Sequence, residues 1–225
     1  VSCLFTAEGS HLERYASVFS CVEINSSFYR SHQQKTYSRW ARTVPESFRF
    51  SVKMPRAITH DLRLQQCDAP MHAFLDEIAG LANKLGCILI QLPPSLALDV
   101  KIARKFFQLL RRSTSAPVSC EPRHASWFTT DADALFKEAH VSRAWADPAI
   151  MKDIEPLAAS GLLYLRLHGA PQMYYSAYDE PFIDHIASRM RAAREQGSDA
   201  WCIFDNTARG AAIPNALALV ARLNA

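Results

Sequence analysis

Residues 21–30, CVEINSSFYR, begin as an apolar strand and then carry a carboxylate and an amide, Glu23 and Asn25, two positions apart. Side chains alternate across a strand, so Glu23 and Asn25 share one face while Ile24 turns to the other, toward covering helices. Six further short β-rich runs follow: FRFSVKM (48–54), CILIQLPP (87–94), PVSCEPRH (117–124), SRAWADP (142–148), LLYLRLHG (162–169) and AWCIFDN (200–206). Segments of helical period lie between them at 33–44, 71–85, 100–112, 131–140, 181–196 and 214–223, and another at 11–19 precedes the first run. This alternation predicts a parallel α/β fold. Seven such units, and a helix with no strand before it, predict a TIM-type (β/α) barrel whose first strand is degenerate or missing. VSCLF at 1–5 is the one stretch available for that strand. No glycine-rich turn follows a strand to mark the nucleotide crevice of a doubly wound sheet.

Composition agrees with a single globular domain over residues 1–225. The chain is 49% hydrophobic and 21% charged, with no linker, internal repeat or low-complexity tract. No apolar run approaches the roughly 20 residues that cross a bilayer, so no membrane partner is expected. A net charge of +3 is too small to imply nucleic acid by itself. The basic stretch 101–112, with Arg111 and Arg112 at its end, reads first as a solvated helix face and second as a nucleic-acid contact. Six cysteines show no CxxC pair and no metal-type spacing, and most sit in apolar runs. A reduced, cytoplasmic protein follows as the expectation. Nothing in the pattern fixes an oligomeric state.

The period-two rule applied to every run gathers polar residues at one end: Glu23 with Asn25, Ser51 with Lys53, Gln91, Glu121 with Arg123, Arg166 with His168, and Asp205 beside Asn206. In a barrel this C-terminal end is where catalytic groups collect. Any one of these residues alone reads as a surface or ion-paired group, and Glu121–Arg123 or Glu23–Lys53 read equally as structural pairs. Ionisable groups at one end of five strands argue for a site, because buried charges are costly unless something requires them. His60 lies in the long segment 55–70, and His124 and Trp127 follow the fourth run, Trp127 as a wall of the pocket.

These residues sit in a chain of motifs, VEINSSFYR, WARTVPESFRFSVKMPRAITH, QLPPS, EPRHASWF, YLRLHG and FDNTARGAAIPNA, spread in order from about residue 11 to 223. The series resembles the domain of unknown function 72, or YecE-like, family. The resemblance implies a TIM-type barrel, common in bacteria and without a settled activity. It places the family's polar positions on Glu23, Asn25, Tyr29, Lys53, His60, Gln91, Glu121, Arg123, His124, Trp127, Arg166, His168 and Asn206. Family members open with a glycine-rich first strand, and VSCLFTAEG departs from that pattern.

Three functions follow as expectations. The first is an enzyme in which Glu23 or Glu121 is general acid or base with His168 as proton partner. Lys53, Arg123 and Arg166 then hold a small phosphate- or carboxylate-bearing substrate, for hydrolysis, isomerisation or lyase chemistry. Asn25, Tyr29, His60, Gln91, His124, Trp127, Asp205 and Asn206 complete the substrate-binding set. The second adds a divalent metal on Glu23, Glu121, His168 and Asp205 for phosphodiester hydrolysis, although no cofactor motif is present. The third is a non-catalytic barrel binding a small anion or nucleic acid.

Overall fold

A computed structural model describes residues 5, 8–151 and 154–224. Eight α-helices and eight strands follow one another along the described residues. In order they are α1 (His11–Ala16), β1 (Cys21–Ile24), α2 (Ser26–Tyr29), α3 (Gln34–Thr43), β2 (Arg49–Lys53), α4 (Asp68–Ile78) and β3 (Leu85–Gln91). Then come α5 (Val100–Ser113), β4 (Val118–Glu121), α6 (Thr130–Glu138), β5 (Ser142–Arg143), β6 (Trp145–Asp147), β7 (Leu162–Leu167), α7 (Glu180–Glu195), β8 (Asp199–Phe204) and α8 (Ala212–Leu223). The strands form two sheets, β1-β2-β3-β4-β5 and β6-β7-β8, and every ladder is parallel. The parallel α/β class expected from the sequence is therefore present.

The run SRAWADP was expected to be one strand and is two. Arg143 exchanges backbone bonds with Leu157, and the chain passes at Ala144 from the edge of one sheet to the edge of the other. The opening stretch also differs from expectation: the strand stops at Ile24, and Asn25 turns into α2 with φ −89° and ψ −20°. The VSCLF strand expected at 1–5 lies, apart from Phe5, outside the described residues.

Alternation sorts each strand into two faces. Ile24, Phe50, Val52, Ile88, Ile90, Val118 and Cys120 pack outward with helical residues such as Phe74, Phe106 and Leu135 in one core. Leu163, Leu165 and Leu167 pack against α7 and α8 in a second. The opposite face carries Cys87, Leu89, Leu162, Tyr164 and Trp201, with Cys21 and Ile203 against them. This inner cluster is apolar at the N-terminal end of the strands. A Cβ on Gly86 would lie 2.4 Å from the Trp201 ring, so only glycine lets that indole fill the base of the interior. Polar side chains take over the same face further along each strand.

Among the described residues the outer edges of β1 and β8 pair with no strand. A cavity of about 870 Å³ lies between them, lined by Phe19, Glu23, Asn25, Trp201, Asp205 and Leu219 among others. No helix of the described residues is long and apolar enough to cross a membrane.

Candidate functional site

Arg166, on the inner face of β7, is 1% exposed and stands at the centre of the polar end. Its Nη2 lies 2.7 Å from Glu23 Oε1, its Nε 3.0 Å from Glu23 Oε2 and its Nη1 2.5 Å from Glu121 Oε2. One guanidinium thus ties β7 to β1 and to β4 across the interior, with the fork geometry that matches a carboxylate. Both carboxylates and Arg166 have side chains only 1% exposed. Burial opposes the Arg166 charge, but Glu121 and Glu23 outweigh it and hold its pKa well above the ordinary value. Burial likewise works to raise Glu121, yet Arg166 and Arg123 pull it down to about 2. Gln91 Nε2 donates to Glu121 Oε1 at 3.0 Å.

Tyr164, two residues before Arg166 on the same face, completes this floor. Its hydroxyl lies 2.8 Å from Glu23 Oε2 and 2.8 Å from Ser51 Oγ. The phenolic proton goes to the carboxylate, so Ser51 supplies the second hydrogen. Ser51 belongs to the polar strand ends that alternation gathers, whereas Tyr164 is not among the expected site residues. The signal for Tyr164 was present in YLRLHG, where the alternation that selects Arg166 and His168 selects it too.

His168 and Asp205 lie one residue beyond β7 and β8. The ladder pairs Leu167 with Phe204, and the bonds from His168 N to Asp147 O and from Asp205 N to Leu167 O, each 2.8 Å, carry the order one step further. That places His168 Nδ1 3.0 Å from Asp205 Oδ2, while Arg123 Nη2 donates to His168 Nε2 at 2.9 Å. A guanidinium has donors only, so Nε2 must accept and the ring proton sits on Nδ1, donated to Asp205. The two contacts together define one tautomer. Arg123 also pairs with Glu121, leaving its Nε buried and without a partner.

Lys53 ends β2 and is 7% exposed. Glu23 takes Arg166 as its partner rather than Lys53, so the Glu23–Lys53 pair expected as one alternative does not form. The Lys53 ammonium makes no hydrogen bond or ion pair with any described residue; it lies 4.2 Å over the centre of the Phe28 ring. Burial, and next the charge of Arg166, lower its pKa to about 8 against the pull of Glu23, Glu121 and Asp205. Asn25 beside this cluster has a buried Oδ1 with no partner.

Other expected site residues lie elsewhere. Trp127 is 1% exposed, donates Nε1–H to Leu96 O at 2.9 Å and stacks on Phe136, so it fixes a loop instead of walling a pocket. His124 accepts from Ser126 N through Nδ1 and caps a short helix. Asn206 donates to Ser176 O and Asn215 Oδ1, which ties the segment after β7 to α8. Tyr29 is 80% exposed with its ring edge on Phe28. His60 sits in a π-turn at 57–61 with its ring 4.9 Å from that of Phe28, behind Lys53. Asp147, missed at the end of β6, accepts from Tyr178 at 2.7 Å.

Arg111 donates to the carbonyls of Ala139 and Ala116 and so joins α5 to its neighbours, which leaves the expected nucleic-acid face without that guanidinium. Among the described residues no group of three His, Cys, Asp or Glu side chains is disposed to hold a metal ion. The oxygens of Glu23 and Glu121 that were expected to serve a metal face arginine nitrogens.

Known proteins share parts of this sequence and the fold. The chain is 37% identical over 82 residues to the UPF0759 protein YecE of Escherichia coli K12, a stretch covering 36% of this chain and 30% of that protein. It is 21% identical to the UPF0759 protein YunF of Bacillus subtilis, over 93% of this chain and 85% of that one. The solved DUF72 family protein of Enterococcus faecalis superposes with a TM-score of 0.82 at 22% identity, covering 96% of this chain and 94% of its own. That of Thermotoga maritima gives 0.80 at 22%, covering 94% and 88%. The family described as "Protein of unknown function DUF72" matches residues 5–225, and the chain belongs to it.

Proposed function

We propose that this protein is an enzyme that binds a small phosphate- or carboxylate-bearing molecule at the C-terminal ends of its strands and transforms it by general acid/base chemistry. The observation that carries the reading is the fixed Asp205–His168–Arg123 chain, with imidazole Nε2 turned to the donor that an anion would claim. An incoming anionic group that takes the Arg123 guanidinium frees the Nε2 lone pair to accept a substrate proton. Glu23 and Glu121, expected as the acid and base, serve better as the frame that holds Arg166, because both are tied to its guanidinium and Glu121, with a pKa of about 2, is a weak base. They remain in the site as its electrostatic floor. Lys53 and Arg123 are then the cations that meet the substrate. The adjoining cavity of about 870 Å³ falls in the range of about 300–1,000 Å³ that small-molecule sites occupy.

On the same reading the two sheets belong to one (β/α) barrel domain over residues 1–225, with no described strand between β1 and β8. The described cysteines are free, which supports a reducing, cytoplasmic setting.

Titration with inorganic phosphate and with pyruvate, followed by the ¹⁵N signals of His168 and the guanidinium of Arg123, tests the site. Saturable shifts at both residues, lost in Arg123→Leu, are expected. Shifts confined to other residues would overturn the reading.

A further inference from the structure

Among the described residues Lys53 is the one cation of the site with no carboxylate at ion-pair distance. Arg166 is matched to two carboxylates, and Arg123 meets Glu121 and His168. Lys53 is itself 7% exposed, and among the described residues its ammonium finds only a ring face. A cation over a largely desolvated ring gains about 2 kcal/mol, yet no described acceptor replaces the water that burial of the side chain removes.

The local structure is built to keep it there. Ser27 Oγ donates to Lys53 O at 2.7 Å and to Ile24 O at 2.9 Å, joining the ends of β1 and β2. The next residue, Phe28, is thereby set under the amine, and His60 is packed edge-on behind that ring. A surface lysine needs none of this. The arrangement is that of an amine kept partly dehydrated, without a counter-ion that would hold it protonated, beside donors that fix a second part of a ligand.

The geometry points to Lys53 as a covalent nucleophile: its amine forms a Schiff base with a small carbonyl compound whose anionic group is held at Arg123. This deepens, and rests on, the reading of the site as one that binds a small anion. In the step, Lys53 first gives up its ammonium proton. The Nζ lone pair attacks the carbonyl carbon, a C–N bond forms, and the C=O π pair moves to oxygen, which takes a proton. The C–O bond then breaks as the C=N bond forms. Both amine hydrogens leave with that oxygen as water, and a solvent proton makes the imine an iminium. No oxidant or reductant enters. The iminium withdraws electrons from the adjacent carbon and so lowers the barrier to the proton removal assigned to His168.

The test is reductive trapping on the full chain at neutral pH. Pyruvate and dihydroxyacetone phosphate are offered separately, with acetone and dihydroxyacetone as their uncharged counterparts. Cyanoborohydride fixes any imine, and peptide mass spectrometry locates it. The expected result is an adduct on Lys53 at least about tenfold above that on exposed Lys101 or Lys105. Whichever anionic probe gives it identifies carboxylate or phosphate as the recognised group. The uncharged counterpart should label Lys53 about tenfold less, and Arg123→Leu should remove that preference.

In parallel, the rate at which trinitrobenzenesulfonate modifies Lys53 is measured with and without inorganic phosphate. Phosphate protection without any Lys53 adduct would overturn the covalent role and leave the anion site standing. Neither adduct nor protection would overturn both. An adduct spread evenly over the exposed lysines would also overturn the covalent role. Site mapping on the unmodified sequence keeps these outcomes readable even if Arg123→Leu fails to fold.

Discussion

Two groups of buried charge lie a few residues apart on the same strands and are built in opposite ways. On the Arg166 floor each donor faces an acceptor: Glu23 is gripped twice, Glu121 once by Arg166 and again by Gln91, and Tyr164 and Ser51 close the remaining positions. On the rim, the Lys53 amine, Arg123 Nε and Asn25 Oδ1 are without partners among the described residues. A satisfied network specifies how strands meet, because breaking it leaves a bare charge in the interior. An unsatisfied one carries a cost that the proposed ligand would offset. On the proposed function, the floor belongs to architecture and the rim to the ligand.

The largest effect should come from breaking the floor. Arg166→Leu leaves Glu23 buried with only Tyr164 as a donor, and denaturant unfolding should show a loss of about 3–5 kcal/mol. The pH dependence should also flatten. In the wild type the Glu121 pKa is depressed, from 4.5 to about 2. Its stabilisation is therefore complete above about 4.5 and disappears as pH falls toward 2. In the variant Glu121 loses the larger of its two arginine contributions, so this acid-linked part of the stability should shrink. A variant as stable as the wild type and equally acid-sensitive would mean that the floor is not what joins β7 to β1 and β4.

The rim should respond with the other sign. Lys53→Met removes an ammonium that the fold leaves unpaired and should stabilise the protein at neutral pH by about 1–2 kcal/mol, after allowance for the water the amine still reaches. Because burial lowers the folded pKa to about 8, the unfolded chain holds the extra proton between about 8 and 10.5. Wild-type stability should thus rise through that window and close the gap to the variant at its upper end. A loss of stability at neutral pH in Lys53→Met would place Lys53 in the floor.

The floor was more legible in the sequence than the rim. Strand alternation found Glu23, Glu121 and Arg166, because residues that lie on strands obey period two and their partners follow from the parallel order. Tyr164 obeys the same rule, and Tyr164→Phe should cost about 1–2 kcal/mol by leaving Glu23 and Ser51 each short of a partner. The rim lies past the strand ends, where period two stops. Glu23 and Asn25 were expected on one face, but the chain bends at Asn25. Trp127, His124 and Asn206 look like site residues because they stand near polar strand ends, yet each bonds locally to backbone or to a neighbouring helix. Which amide or ring turns inward at a loop is decided by hydrogen-bond partners far along the chain, such as Leu96 for Trp127, and spacing carries no record of them. The break at Ala144 is hidden for the same reason, since Leu157 causes it.

The smallest change in stability should come from Asp205→Asn, and it discriminates between the two regions most finely. Asp205 is 28% exposed on its side chain and touches the floor only at 3.9 Å from Arg166. Its loss of charge should therefore move unfolding by less than about 1 kcal/mol. What it does control is the His168 ring. With the carboxylate present, Nδ1–H has a strong acceptor and Nε2 is kept as the lone pair that meets Arg123. With an amide there, the acceptor is weaker and the amide NH₂ competes for Nδ1, so the two tautomers should both be populated. Nitrogen-15 spectra of His168 read this directly: one tautomer in the wild type, a mixture in the variant, and a matching loss of the phosphate-induced shift at His168. A variant that keeps a single tautomer while phosphate still shifts the ring would remove Asp205 from the proton-handling chain. It would leave Arg123 alone to set the imidazole.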